Sequence, residues 1–323
     1  MNDSATRDRE ALGDVPNPLG LAGIEFVEYA TSRPQALGQV LETMGFRPVA
    51  RHRSREVLLY RQGGMNVVIN AHVATARPPE GGDAPARGAA NEVSWGARAS
   101  ARPRSVQPTE VPQIAAIALR VRDAAAAYQR ALDRGAWAVP THVEVMELNI
   151  PAIHGVGASR IYFVDRWREF SIYDVDFVPI PTVERQPPAL AGLHWFGIVQ
   201  YIGTDRMDDW CEFYRELFGF DVLADEERFG ILPKGRILRS PCRTFYLQLI
   251  EPEPGIVDVE GDESLHRIGL GTPDVPAAVK ALAARGVEFV EASDLHSGSR
   301  GALTKSWLGG VMFELVHDEV AAA

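Results

Sequence analysis

The sequence predicts an α+β protein built from four βαβββ modules, two per domain, and three observations predict it. An apolar strand, a helix, a glycine just past the helix and then more strands follow one another four times. The spacing repeats as well: Glu25, Ala115 and His266 stand equally far before Gly45, Gly135 and Gly286, one point on three leading strands. A proline-rich stretch at 178–192 then divides the four copies into two pairs.

Taken in order, residues 1–18 are polar and charged and read as a mobile tail. The first copy has its leading strand at 24–29, a helix around 34–44, and strands at 56–61 and 65–70 about Gln-Gly-Gly. Residues 73–111, rich in Pro, Gly, Ala and Arg without periodicity, read as a long loop. The second copy runs from a strand at 114–121 through an Ala-rich helix at 123–134 to strands at 159–164 and 169–177. Its partner domain opens at 193. The third copy has a strand at 194–201 and a helix at 207–218; the fourth has a strand at 266–271 and a helix at 275–285. Gly45, Gly135, Gly219 and Gly286 stand where a helix C-terminus wants a left-handed residue. The domains are therefore 19–177 and 193–323, with 178–192 as the link.

Length and composition agree with this division. A chain of 323 residues exceeds a single core, and two domains of about 150 residues each are the prior. Apolar content of 46% and charged content of 24% suit a globular protein. A net charge of −10 argues against nucleic acid or an anionic membrane as partner. No apolar run has the length of a membrane span, and the first residues lack the apolar core of a secretory signal. Cys211 and Cys242 alone make a disulfide framework improbable, and a cytoplasmic location is the expectation.

The chemistry concentrates in 193–318. His194 opens Leu-His-Trp-Phe-Gly-Ile-Val and His266 opens Leu-His-Arg-Ile-Gly-Leu-Gly, while Glu314 lies within Gly-Gly-Val-Met-Phe-Glu-Leu-Val. The third copy has a longer loop before its helix, which sets His194 farther from Gly219; allowing for that loop, His194 and His266 share one position. An imidazole or carboxylate in an apolar strand is costly unless something satisfies it, and a divalent metal would satisfy all three. Two imidazoles and a carboxylate form the facial set of non-heme Fe(II). The alternative for Glu314 is an ion pair with a nearby arginine such as Arg267. Gln248, on the late strand of the third copy, is a candidate substrate contact. Phe313 and Trp307 are core aromatics or pocket walls, and His296 in Leu-His-Ser-Gly-Ser-Arg is a candidate acid/base group. Glu25 reads as a half-buried carboxylate at the domain contact.

Several separated stretches resemble one family. Pro-Leu-Gly-Leu-Ala-Gly-Ile-Glu-Phe-Val-Glu-Tyr-Ala, Met-Gly-Phe, Leu-Tyr-Arg-Gln-Gly, Glu-Leu-Asn-Ile-Pro-Ala-Ile from Glu147, Ile-Tyr-Phe-Val-Asp-Arg from Ile161 and Ile-Tyr-Asp-Val-Asp-Phe from Ile172 are similar to the 4-hydroxyphenylpyruvate dioxygenase family of the vicinal oxygen chelate superfamily. The resemblance covers most of the chain from about residue 16 and is weaker after 225. It implies half-open barrels of the glyoxalase type, with Fe(II) (or Mn(II), Co(II) or another divalent metal) held by His194, His266 and Glu314. It also implies O2 and a small aromatic 2-oxo acid as partners, and oxidative decarboxylation with hydroxylation as the reaction. Paired domains of this kind often assemble further, so a homo-oligomer is compatible with it. The substrate-facing positions depart from the family pattern. Leu265 replaces a glutamine before the second histidine, residues 244–251 replace an Arg-Ile-Pro-Leu-Asn-Glu strand, and Pro233 and Gly301 stand where a serine and a glutamine are expected. Nine residues follow Glu314, too few for the family's closing helix. Extradiol cleavage of a catechol on the same scaffold, or a homologue that binds metal or ligand without turnover, are the competing functional expectations.

Overall fold

The computed structural model describes residues 17–72, 106–140, 148–168, 170–224, 235–251, 263–290 and 301–319. Most of the expected tail, most of the loop at 73–111, Pro233 and His296 lie outside the described residues.

The first module contains β1 (Gly23–Ala30), α1 (Pro34–Thr43), β2 (Arg47–His52), β3 (Val57–Gln62) and β4 (Met65–Asn70). The second contains β5 (Gln113–Arg120), α2 (Ala124–Asp133), β6 (Ala152–His154) and β7 (Arg160–Val164). It is followed by α3 (Ile172–Asp176) and β8 (Phe177–Pro179). The third contains β9 (His194–Tyr201), α4 (Met207–Phe218), β10 (Asp221–Val222), β11 (Arg236–Arg239) and β12 (Tyr246–Ile250). The fourth contains β13 (Ser264–Thr272), α5 (Val275–Ala283), β14 (Gly301–Leu303) and β15 (Phe313–His317).

Leading strands occupy the middle of the sheet. Its path runs β10-β11-β12-β9-β13-β5-β1-β4-β3-β2-β8, with β15 and β14 branching from β13, and β7 and β6 from β5. Within a pair of modules the two leading strands are antiparallel, β1 against β5 and β9 against β13, and each lies parallel to the last strand of its own module. Such central strands are covered on both faces, so all eight residues of β1 are buried, Glu25 and Glu28 included. The path is open at both ends, as half-open barrels require.

Each helix covers the sheet with one apolar face. Trp210, Phe213, Tyr214, Leu217 and Phe218 recur at helical spacing on α4 and are buried. Each such side chain contributes about 1.5–3 kcal/mol of transfer free energy. Tyr214 keeps its hydroxyl satisfied there by exchanging hydrogen bonds with the buried amide of Gln200. Smaller side chains, Ala124, Ala127 and Ala131, face the sheet on α2. Gly45, Gly135, Gly219 and Gly286 all carry positive φ, from 77° to 100°, so the helix-stop reading holds in every module.

One expectation fails. The strand expected at 169–177 is helix α3 followed by the three-residue strand β8, which leaves its module and pairs with β2. Ser171 and Asp174 form a capping box, Asp174 accepting from both the backbone N–H and the hydroxyl of Ser171. That local bonding overrides the alternating pattern of Ile172 to Phe177.

One large apolar core runs from Leu19 through both pairs of modules to Leu315, and a smaller cluster around Phe26, Leu59, Val68 and Phe177 lies in the first pair. Phe163 stacks on Phe218 at 6.1 Å, and Arg285 donates to the carbonyls of Thr43 and Glu42, so modules from opposite halves touch on both the apolar and the polar side. The segment expected to link the halves is tied to the first module: Gly63 donates to the Pro187 carbonyl and Leu190 to the Gln62 side chain.

Candidate functional site

In the second pair of modules, the register between β9 and β13 decides which candidate ligands meet. His194 lies opposite Gly271 and Tyr201 opposite Ser264. His266 sits in the irregularity between Leu265 and Arg267, near the far end of the same strand pair. Five positions separate His266 from Gly271, roughly 16 Å along a strand at about 3.3 Å per residue. One metal ion would need both imidazole nitrogens about 2 Å from it.

His194 lies at the start of β9 because Gly271 leaves it room; a methyl group at Gly271 would collide with its ring. Its Nδ1 lies 2.9 Å from the Gly192 carbonyl and its Nε2 lies 3.2 Å from Asp318 Oδ2. Both ring nitrogens thus face acceptor oxygens, and Nε2 is turned to the Asp318 carboxylate in this arrangement. Asp318 is a neighbour that the sequence reading did not find.

His266 packs its ring edge-on against Tyr201, with centroids 4.5 Å apart. Burial, and then the adjacent Arg267 guanidinium, push its pKa down to about 4. It is therefore a neutral imidazole at pH 7.

Glu314 is buried on β15, opposite Gly269 of β13. Arg267, only 2% exposed, donates from Nε to Glu314 Oε2 at 3.0 Å. The competing expectation for Glu314 is thus the one the structure shows. Gln248 of β12 and Glu314 line one hollow together with Phe196, Gly197, Tyr246 and Gly269. The hollow leaves only about 30 Å³ for water-sized occupants.

The aromatic candidates lie elsewhere. Phe313 is fully buried in the core, and Trp307 packs against it with ring centroids 6.2 Å apart. Neither lines the hollow; on β15 successive residues point to opposite faces, and Phe313 precedes the inward Glu314. Of the two readings offered for these residues, the core one describes their place in the structure.

The donor types suit a divalent metal: two imidazoles, one of them held neutral by burial, and a carboxylate. Their positions do not. Among the described residues no three His, Cys, Asp or Glu side chains are grouped to hold an ion, and a guanidinium already neutralises Glu314. The His194, His266 and Glu314 set is present in sequence order without converging in space.

Comparisons with known proteins place this architecture. Residues 15–78 and 97–178 match the model of the hydroxyphenylpyruvate dioxygenase N-terminal domain. Residues 192–304 match that of the glyoxalase/bleomycin resistance protein/dioxygenase superfamily. The chain is 31% identical over 300 residues to hemolysin VllY of Vibrio vulnificus, covering 88% of this chain and 76% of that protein. It is 39% identical over 211 residues to a 4-hydroxyphenylpyruvate dioxygenase of Pseudomonas sp., covering 63% of this chain and 50% of that enzyme. A mutant of 4-hydroxymandelate synthase from Streptomyces coelicolor shares the fold, with a TM-score of 0.66 at 17% identity over 94% of this chain and 95% of that one. With its module order, its open sheet and these matches together, the chain belongs to the 4-hydroxyphenylpyruvate dioxygenase family of vicinal oxygen chelate proteins.

Proposed function

We propose that the chain is a dioxygenase of the 4-hydroxyphenylpyruvate dioxygenase type, acting on an aromatic or related 2-oxo acid, in which His194, His266 and Glu314 would hold Fe(II) only after moving from the positions described. The observation that carries this reading is the donor set, two histidines at one shared module position and a carboxylate on the last strand of the fourth module. The Gly192 carbonyl and the Asp318 carboxylate hold the His194 ring, and burial keeps the His266 ring neutral. Relatives named as dioxygenases support the reaction class. Bound iron would supply the activation of O2 and the chelation of a 2-oxo acid. This chain's own part would be to present Gln248 and Glu314 on one face and to keep water from a narrow hollow. Glu314 must first exchange Arg267 for the metal.

The Arg267–Glu314 pair favours a second reading, a homologue that binds an aromatic acid without turnover. Anaerobic titration with Fe(II), then addition of 4-hydroxyphenylpyruvate with visible spectra, O2 uptake and CO2 release, separates the two. One iron per chain, a charge-transfer band and CO2 release are expected of the dioxygenase. No iron uptake, or no O2 consumption on aromatic 2-oxo acids, would leave the binding homologue.

A further inference from the structure

The larger hollow lies in the other half of the protein. It leaves about 420 Å³ for water-sized occupants, the scale of a metabolite site. Four guanidinium groups line it, those of Arg61, Arg120, Arg168 and Arg185, against the carboxylates of Glu25 and Asp174. A surplus of two positive charges thus faces a cavity in a protein whose net charge is −10. Unspecific attraction of anions is weak on such a protein, so a concentrated positive cavity is selective.

The arginines come from separate segments and are held by different devices. Arg120, at the end of β5, donates from Nε to the buried Glu25 at 2.6 Å and lies over the Trp167 ring at 5.2 Å. Arg168 lies over the same ring at 4.7 Å. Arg61, at the end of β3, donates from Nε to Asn66 at 2.7 Å and from Nη1 to the Arg185 carbonyl at 2.9 Å, which fixes the segment carrying Arg185 as a wall. With its single carboxylate shared among several donors, Glu25 neutralises only part of this charge. The Tyr173 hydroxyl is buried on the cavity wall beside the Glu25 carboxylate. Burial, and then Glu25, hold that phenol protonated, well above its ordinary range, so it remains a donor.

We propose that this N-terminal cavity is a binding site for a small anionic metabolite bearing carboxylate or phosphate-ester oxygens, recognised by forked guanidinium donors and the Tyr173 hydroxyl. Planar guanidinium groups pair with both oxyanion types in two-point fashion, and four of them suit a ligand with more than one negative charge. Trp167 orients two of the arginines and is not itself the ligand's platform, since both lie over its ring.

The test is isothermal titration of the full chain with pyrophosphate and, separately, citrate, at fixed ionic strength. Saturable binding of one equivalent of either is expected, and which anion binds tighter tells phosphate from carboxylate recognition. Arg168→Gln with Arg185→Gln, both on exposed side chains, should weaken that binding by about tenfold or more, as loss of charge-assisted hydrogen bonds does. The melting temperature of the free protein should stay unchanged. Arg243→Gln, in the other half, should leave binding as it was. Absence of saturable binding by either anion, or equal binding by the double variant, would overturn the site. Neither titration involves iron or His266, so failure here is independent of the dioxygenase reading.

Discussion

The two halves of the molecule use one plan and put opposite chemistry at the same place. Arg120 precedes Gly135 by the same interval as Gly271 precedes Gly286. Each stands across the antiparallel pair of leading strands from the start of its partner strand, Arg120 opposite Gly23 and Gly271 opposite His194. In the first half an arginine at this point reaches the carboxylate of Glu25 and helps line an open cavity. In the second half a glycine admits the His194 ring, and the cationic role passes to Arg267, buried against Glu314 in a nearly filled cup. The half without the metal-type residues has the room, and the half with them has the tighter packing.

The largest effect that would test this contrast is at the buried pair. Glu314→Ala leaves the Arg267 guanidinium, whose Nη2 is already without a hydrogen-bond partner, buried beside no carboxylate. A loss of about 3–5 kcal/mol is expected in urea unfolding. Arg267→Met combined with Glu314→Leu should recover most of it, because two well-packed apolar side chains replace two desolvated charges. A single variant within about 1 kcal/mol of wild type would mean that water or rearrangement reaches this pair, and that the cup is more open than described. Arg267→Met alone bears on the proposed function: if Arg267 competes with the metal, this change should tighten Fe(II) binding measured by anaerobic titration.

Arg120→Ala is the matching experiment in the first half, with a smaller expected loss of about 1–3 kcal/mol. Arg120 is 24% exposed, so solvent already screens part of its pairing, and Glu25 keeps the Asn66 amide at 3.3 Å. Equal losses at Arg120 and at Glu314 would erase the distinction between an open and a closed cup.

A third test uses acid. His266 titrates at about 4 in the folded protein against an ordinary 6.5, so the unfolded chain binds more protons between those values. Stability contributed by keeping this ring neutral is complete above pH 6.5 and falls as pH drops towards 4. After discounting for the part of the ring that water reaches, the loss is roughly 1–2 kcal/mol. His266→Phe should flatten the metal-free protein's stability profile across that window, and an unchanged slope would place the ring in water.

These comparisons show what the sequence could and could not reveal. The four modules were legible because a helix stop needs a left-handed residue, and Gly45, Gly135, Gly219 and Gly286 supply it, one to each module. The start of each leading strand was legible by counting. The separation of His194 from His266 was not, for a geometrical reason. In an antiparallel pair related by a two-fold axis, equivalent residues coincide only at the axis and otherwise move to opposite ends. His194 opposite Gly271, and His266 near Gln200, lie away from it. The anion cavity was hidden because its four arginines are scattered between residues 61 and 185. Glu25, at the position where the fourth module carries His266, was the one sign of it. Helix α3 was missed because Ile172 to Phe177 alternates like a strand, while the Ser171–Asp174 capping box depends on two residues at its edge.

The smallest expected effects fall where the halves agree. Asp123 caps α2 by accepting from the Ala126 N–H at 2.9 Å, and Asp274 caps α5 by accepting from the Ala277 N–H at 2.9 Å. Asp123 stands as far before Gly135 as Asp274 does before Gly286, so the two are the same residue of the plan in modules two and four. Each satisfies one otherwise orphaned backbone donor and places a negative charge at the positive end of a helix. Replacing either by alanine should cost about 1 kcal/mol in urea unfolding. Because the apolar core is continuous from one half to the other, both losses should appear in one cooperative transition with an unchanged denaturant slope. A second transition in only one of the variants would show that the halves unfold separately, and the contrast between the cups would then be one between two independently stable domains.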